Sequence, residues 1–138
     1  MADTLHFSLV SPERELFSGD VAHVVVPGTE GEFGVLAHHA PLMSTIKPGL
    51  LRIFTGEREV RMFINGGFAD VTPHGLTILA EDAVDLAQQD AGEIEQHLRD
   101  TQEDVVAAGQ DPSRLALAQQ RLARLTALQA ALRTASAL

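Results

Sequence analysis

"GLTILAEDAVDLAQQDAGEIEQHL", Gly75 to Leu98, changes its hydrophobic rhythm partway along. Leu76, Ile78 and Ala80 recur at every second residue, the period of a strand that buries one face. From Asp90 onward, Ala91, Ile94, Leu98, Thr101, Val105 and Ala108 recur at three and four residues, the seam of a helix. The switch falls near residue 85. It predicts an α+β chain in which an all-β unit, residues 1–85, precedes an all-α unit, residues 86–138.

Upstream of the switch, Leu5/Phe7/Leu9 and Val60/Met62/Ile64 repeat the two-residue period, so these segments read as half-buried strands. Turn chemistry separates them at Ser18-Gly19-Asp20, Pro27-Gly28, Lys47-Pro48-Gly49, Thr55-Gly56-Glu57, Asn65-Gly66-Gly67 and Pro73-His74-Gly75. That spacing suits a β-sandwich or barrel. Downstream, Gly109 supplies a stop, and Asp111 with Pro112 restarts a helix as N-cap and first helical residue. The last 50 or so residues therefore read as an antiparallel helical hairpin with a very short loop. On the second helix Leu115, Leu117, Leu122, Leu125, Leu128 and Leu132 gather into one arc, with Arg114 and Arg121 in or beside it. Ala116, Gln119, Gln120, Ala123, Thr126, Ala127, Ala130 and Ala131 form a small, uncharged face opposite, suited to packing against a further surface.

A chain of 138 residues suits one compact domain, or a small one with an appendage. With six aromatics, all Phe, the core must be built mainly from Val, Leu, Ile and Ala, and the absence of cysteine excludes disulfides and thiolate metal sites. A net charge of −9 argues against nucleic acid as a partner. The charge is unevenly placed: residues 81–111 carry ten acids and one base, whereas residues 112–138 carry four arginines and no acid. No apolar run approaches the roughly 20 residues of a membrane span, and "MADTLHFSLV" lacks a basic signal-like region. The expectation is a soluble, cytoplasmic chain that reaches a membrane only through partners.

The stretch from Val24 to Leu42, "VVVPGTEGEFGVLAHHAPL", holds glycines spaced by three and two adjacent histidines. It makes a poor phosphate cradle, because Glu30 and Glu32 flank the glycines, no Lys is near, and strand-like sequence follows where a helix should begin. Adjacent His38 and His39 diverge on an extended backbone, which argues against a shared metal. Turning the chain, and presenting an acidic tip to a basic loop of a partner, is the reading that remains.

"FSGDVAHVVVPGTEGEFGVLAHHAPLMSTIKPGLLRI" and "INGGFADVTPHGLTILAEDA" together closely resemble the epsilon subunit of bacterial F-type ATP synthase, and the likeness continues through the hairpin. Its elements Pro-Gly-x-x-Gly-x-x-Gly, His-Ala-Pro-Leu and Lys-Pro-Gly are specific in combination. The resemblance implies an N-terminal ten-stranded β-sandwich followed by an α-helical hairpin, in a non-catalytic central-stalk subunit without cofactor or metal. It implies that the sandwich binds the gamma subunit and sits on the c-ring, coupling rotation to ATP synthesis, on the cytoplasmic face of the bacterial inner membrane. By motif position, Glu30, Gly31 and Glu32 would meet the c-ring, and His39 and Ser44 would meet gamma; Ser44 stands where relatives often carry Thr.

In many relatives the hairpin permits turnover when folded and blocks ATP hydrolysis when extended along gamma within the alpha3beta3 assembly. Its second helix then meets an acidic segment of beta, a role that Arg114, Arg121 and Arg124, with Arg133 beside them, would fill here. Some relatives bind ATP through an Ile/Leu-Asp-x-x-Arg-Ala motif. The matching stretch, Leu86-Ala87-Gln88-Gln89-Asp90-Ala91, has Ala87 for the Asp and Asp90 for the Arg, so no useful nucleotide binding is expected. Two rivals remain: a small sandwich enzyme or metal protein using His38, His39 and Asp70, for which no catalytic or ligand spacing is present, and a free adaptor with a coiled-coil tail, for which the seams are short.

Overall fold

A computed structural model describes residues 3–138; Met1 and Ala2, the start of the N-terminal stretch read above, lie outside it. Eight strands come first: β1 (Leu5–Val10), β2 (Glu15–Val21), β3 (His23–Gly28), β4 (Gly31–Leu36), β5 (Leu42–Phe54), β6 (Glu59–Thr72), β7 (Gly75–Ala80) and β8 (Ala83–Asp85). A short 3-10 turn, Leu86–Gln88, leads to helices α1 (Ala91–Ala108) and α2 (Pro112–Ser136). The strands run in the order β2-β1-β7-β6-β5-β3-β4, with β8 paired to β6. Every pairing is antiparallel except β1 with β7.

The long strands make this a sandwich. The first part of β5 and the second part of β6 pair with each other and continue into β7 and β1, while their other parts continue into β3 and β8. The expected ten strands are thus eight continuous ones, because β5 and β6 each serve both layers. Lys47-Pro48-Gly49 and Asn65-Gly66-Gly67, read above as turns, lie inside β5 and β6 where the layers change. The bend has a strict requirement at Gly67. Its φ is 149°, and a Cβ there would stand 2.1 Å from the Leu79 carbonyl oxygen. Ser18-Gly19-Asp20 is likewise no turn but part of β2, whereas Thr55-Gly56-Glu57 and Pro73-His74 do connect strands.

The inward faces are the ones that the two-residue period marks. Leu5, Phe7, Leu9, Met62, Ile64, Leu76, Ile78 and Ala80 join Val24, Val26, Leu51 and Ile53 in one buried cluster between the layers, with Val60 packed against it. At about 1.5–3 kcal/mol for each large apolar side chain removed from water, this cluster is the main driving force for the sandwich.

The hairpin caps follow the sequence. Asp111 accepts hydrogen bonds from the amides of Ser113 and Arg114, Pro112 opens α2, and Gly109 takes φ 57° after α1. Asp90 caps α1 by accepting from the Glu93 amide at 3.0 Å. Helix α2 lies against β5 and β6, and α1 packs on α2. A second cluster forms there from Phe63, Leu86, Ile94, Leu128, Ala131 and Ala135.

The single leucine arc read on α2 needs correction, because the helix meets two partners on different sides. Leu117 is 50% exposed, while Ala127 and Ala131, read as part of the small opposite face, join Leu128 and Leu132 of the arc in the cluster against the sandwich. Small side chains let the helix axis approach the sheet, and the rest of that face, including Ala116, Gln119, Ala123 and Ala130, remains exposed.

Candidate functional site

The acidic turn is built by glycine at its base. Gly28 pairs with Gly31, and a Cβ on Gly28 would come within 2.7 Å of the Gly31 carbonyl oxygen, so only glycine closes the hairpin this tightly. Gly31 itself has φ 136°. Glu30, Gly31 and Glu32 are all exposed at the tip. The turn is fixed to β5: the Thr29 amide donates to the Thr45 carbonyl at 3.1 Å, and the two hydroxyls meet at 2.7 Å. Between them lies a groove of about 530 Å³ that reaches from Glu30 and Glu32 to Leu42, Met43 and Ser44. The structure therefore brings the residues assigned to the c-ring beside one of the two assigned to gamma.

His39, the other, stands at the exit of β4. Its amide donates to the Leu36 carbonyl at 3.2 Å, and its Nδ1 donates to the Ala40 carbonyl at 2.6 Å, so the ring shapes the loop into β5. Ser44 Oγ is turned onto the Thr45 carbonyl at 2.9 Å and is half-buried. Two exposed apolar side chains stand on the neighbouring sheet face. Met43 is 66% exposed and Leu79 is 55% exposed on the outer face of the β1-β7-β6-β5 layer, where Phe68 pairs with Leu79 and Met43 with Asp70. Sequence reasoning passed over both residues. Leu79 carried a usable signal, as an apolar side chain out of phase with Leu76, Ile78 and Ala80.

His38 has φ 64°, a left-handed conformation uncommon outside glycine, and its Nε2 lies 3.6 Å from the Asp3 carboxylate. Among the described residues no three His, Asp or Glu side chains converge as a metal site would require, so His38, His39 and Asp70 are not brought together.

On the hairpin, Arg114, Arg121 and Arg133 are exposed. Arg124 differs: its Nε donates to Asp82 at 2.6 Å, and its guanidinium sits 5.9 Å from the Phe63 ring centroid. In the connecting segment, Asp90 is occupied as the α1 cap, and the Ala87 amide donates to Asp85 at 2.9 Å. Of the two departures from the nucleotide motif, the Asp90 side chain is thus engaged in starting α1, while Ala87 contributes only its backbone amide to the preceding turn. The groove between this segment, β6 and the end of α2 measures about 390 Å³ and is lined by Arg58, Glu59, Arg61 and Asp85 among others.

That groove borders a charge cluster that sequence reasoning missed. Glu59 accepts from Arg52 and, at 3.1 Å, from Arg61. The Arg52 hydrogen bond first, and then that of Arg61, hold the Glu59 carboxyl down to about 2. The Arg52 guanidinium is pushed up in turn by the Glu59 hydrogen bond and rests 5.1 Å from the Phe54 ring centroid. Arg52 and Arg61 are register partners across β5 and β6. Only the pairing of the strands reveals that they share one carboxylate.

Comparison with known proteins gives a consistent picture. Residues 4–86 match the family described as ATP synthase, Delta/Epsilon chain, beta-sandwich domain. The ATP synthase epsilon chain of Maricaulis maris is 55% identical over 83% of this chain and 86% of its own length. That of Mesorhizobium japonicum is 45% identical over 96% of this chain and 98% of its own. The Caulobacter vibrioides epsilon chain is 60% identical over 60% of this chain and 96% of its own, so it is too short to hold both a sandwich and a hairpin of these sizes. Among solved structures, a chain of the Euglena gracilis mitochondrial ATP synthase (OSCP/F1/c-ring) superposes with a TM-score of 0.76 at 25% identity, covering 94% of this chain and 81% of that one.

Proposed function

The chain belongs to the epsilon-chain family of ATP synthase, a non-catalytic subunit of that complex, and on that premise we propose which of its surfaces meets which partner. The β3–β4 tip bearing Glu30, Gly31 and Glu32 meets the polar loops of the c-ring. The outer sheet face around Met43 and Leu79, with His39 and Ser44 at its border, meets the gamma subunit. Rotation then passes from ring to shaft through the sandwich. Among the described residues no helix is long and apolar enough to cross a membrane, which agrees with a peripheral position on the cytoplasmic face of the inner membrane, reached through the c-ring.

The observation that carries this reading is the junction of the two surfaces. The acidic tip is tied by Thr29 and Thr45 to the strand that exposes Met43, so a load on one surface is delivered to the other within a single strand pair. Met43→Asp places a charge in the proposed gamma interface and should reduce copurification with gamma at least tenfold, the loss expected for a central apolar contact of about 1.4 kcal/mol or more. Glu30→Lys with Glu32→Lys should leave gamma binding intact while lowering ATP synthesis relative to hydrolysis. Retention of gamma by the Met43 variant would overturn the assignment of that face.

The hairpin is the regulatory part, with Arg114, Arg121 and Arg124 available to an acidic segment of beta once α2 leaves the sandwich. Ending the chain after Asp85 should raise ATP hydrolysis by the assembled complex, and an unchanged rate would remove the regulatory role. With no carboxylate at Ala87, and with Asp90 placing a negative charge where the motif has a cation, the isolated chain should show no submillimolar ATP affinity by calorimetry.

A further inference from the structure

Two contacts between the sandwich and α2 are made by arginines, one reaching from each side. Arg61, on β6, donates Nη1 to the Ala135 carbonyl at 2.7 Å, in the last turn of α2. A helix end gathers unsatisfied carbonyls and partial negative charge, so a guanidinium is well placed there. Glu59 holds the same guanidinium from behind through Nη2 at 3.1 Å, which fixes its aim. Earlier along the helix, by roughly 16 Å at the usual rise per residue, Arg124 reaches the other way. It donates to Asp82, in the turn between β7 and β8, at 2.6 Å. Phe63, whose ring centroid lies 5.9 Å from the Arg124 guanidinium, packs in one cluster with Leu128 and Ala131 of α2.

Neither contact is strong enough to be permanent. The side chains of Arg61, Arg124 and Asp82 are each about a third exposed, at 31%, 32% and 40%. In the docked state Arg61 Nε is buried without an acceptor, a cost set against the contact that its Nη1 makes. We propose that Arg61 and Arg124 form a double catch that keeps the hairpin closed, and that Asp82 occupies Arg124 as an internal stand-in for a carboxylate of another subunit. While α2 is docked, Arg124 is unavailable to a partner. Once both catches open, the cation is released together with the apolar stripe of the helix. The stand-in role rests on the proposed regulatory hairpin; the catch does not.

Amide hydrogen exchange on the full chain tests the catch. Asp82→Asn and Arg61→Gln should each speed exchange across Arg124–Ala135 about two- to fivefold, the range of a partly exposed charged contact, with β1 and β7 unchanged. Adding Arg124→Gln to Asp82→Asn should bring no further increase. Wild-type exchange in either single variant, or fully additive effects in the double, overturns the catch. In the assembled complex Asp82→Asn should lower ATP hydrolysis, and adding Arg124→Gln should restore it. If the chain ended after Asp85 raises hydrolysis while Asp82→Asn leaves it unchanged, the stand-in role alone is lost. If neither changes hydrolysis, the regulatory reading and the stand-in role fall together.

Discussion

Gly67 and Glu59 show how single positions hold this structure. Gly67 combines a left-handed φ with direct contact on the Leu79 carbonyl, so Gly67→Ala should cost about 1–3 kcal/mol from backbone strain alone. The check is a urea melt, in which the midpoint should fall while the slope stays constant. Glu59 acts through protonation. Its folded carboxyl is held near 2, below the ordinary 4.5, so its contribution is fully present above pH 4.5 and is lost as pH falls from 4.5 through 2. Glu59→Gln should therefore flatten the decline in stability between pH 4.5 and 2.5, measured as the urea midpoint against pH. Retention of the full wild-type slope in that variant would show that the Arg52 and Arg61 contacts do not act through this carboxylate.

At the level of elements, the sequence marks inward strand faces and helix caps well, because each depends on residues close in the chain. Leu5, Phe7 and Leu9 point where their period says, and Asp111 caps the helix it was assigned to. Three kinds of feature were not legible. Pro48 and Gly66-Gly67 mark a change of layer with the same residue types that mark a chain reversal, since both require the backbone to leave a straight strand. A helical wheel for α2 assumes one apolar side, whereas packing on both α1 and the sandwich divides its contacts between two. Arg52, Glu59 and Arg61 become a site only through the β5–β6 register. The interface between α2 and the sandwich gives its own prediction. Leu128→Ala removes a side chain that is 3% exposed and should weaken docking by about 2–5 kcal/mol. Limited proteolysis should then cut within α1 and α2 while the strands stay protected.

For the whole molecule, every buried residue of the larger cluster lies between Leu5 and Ala80, so the sandwich owes its core to none of the helices. A chain ending after Asp85 should keep a cooperative thermal transition and a β-type circular dichroism spectrum, with a new exposed patch around Leu50, Phe63 and Val84. Loss of that transition would mean that the hairpin completes the fold. The short Caulobacter relative is consistent with this division, since it retains high identity at a length that excludes one of the two parts.

The two strands that change layer carry a mechanical consequence. In an ordinary sandwich the sheets are joined by loops and by side-chain packing, so a sideways force lets one slide over the other. Here β5 and β6 pass through both sheets as continuous backbone, paired to each other on either side of the crossing. Torsion entering at one sheet is borne by covalent ribs rather than by an apolar slip plane, which gives the domain the stiffness that a component under repeated load requires.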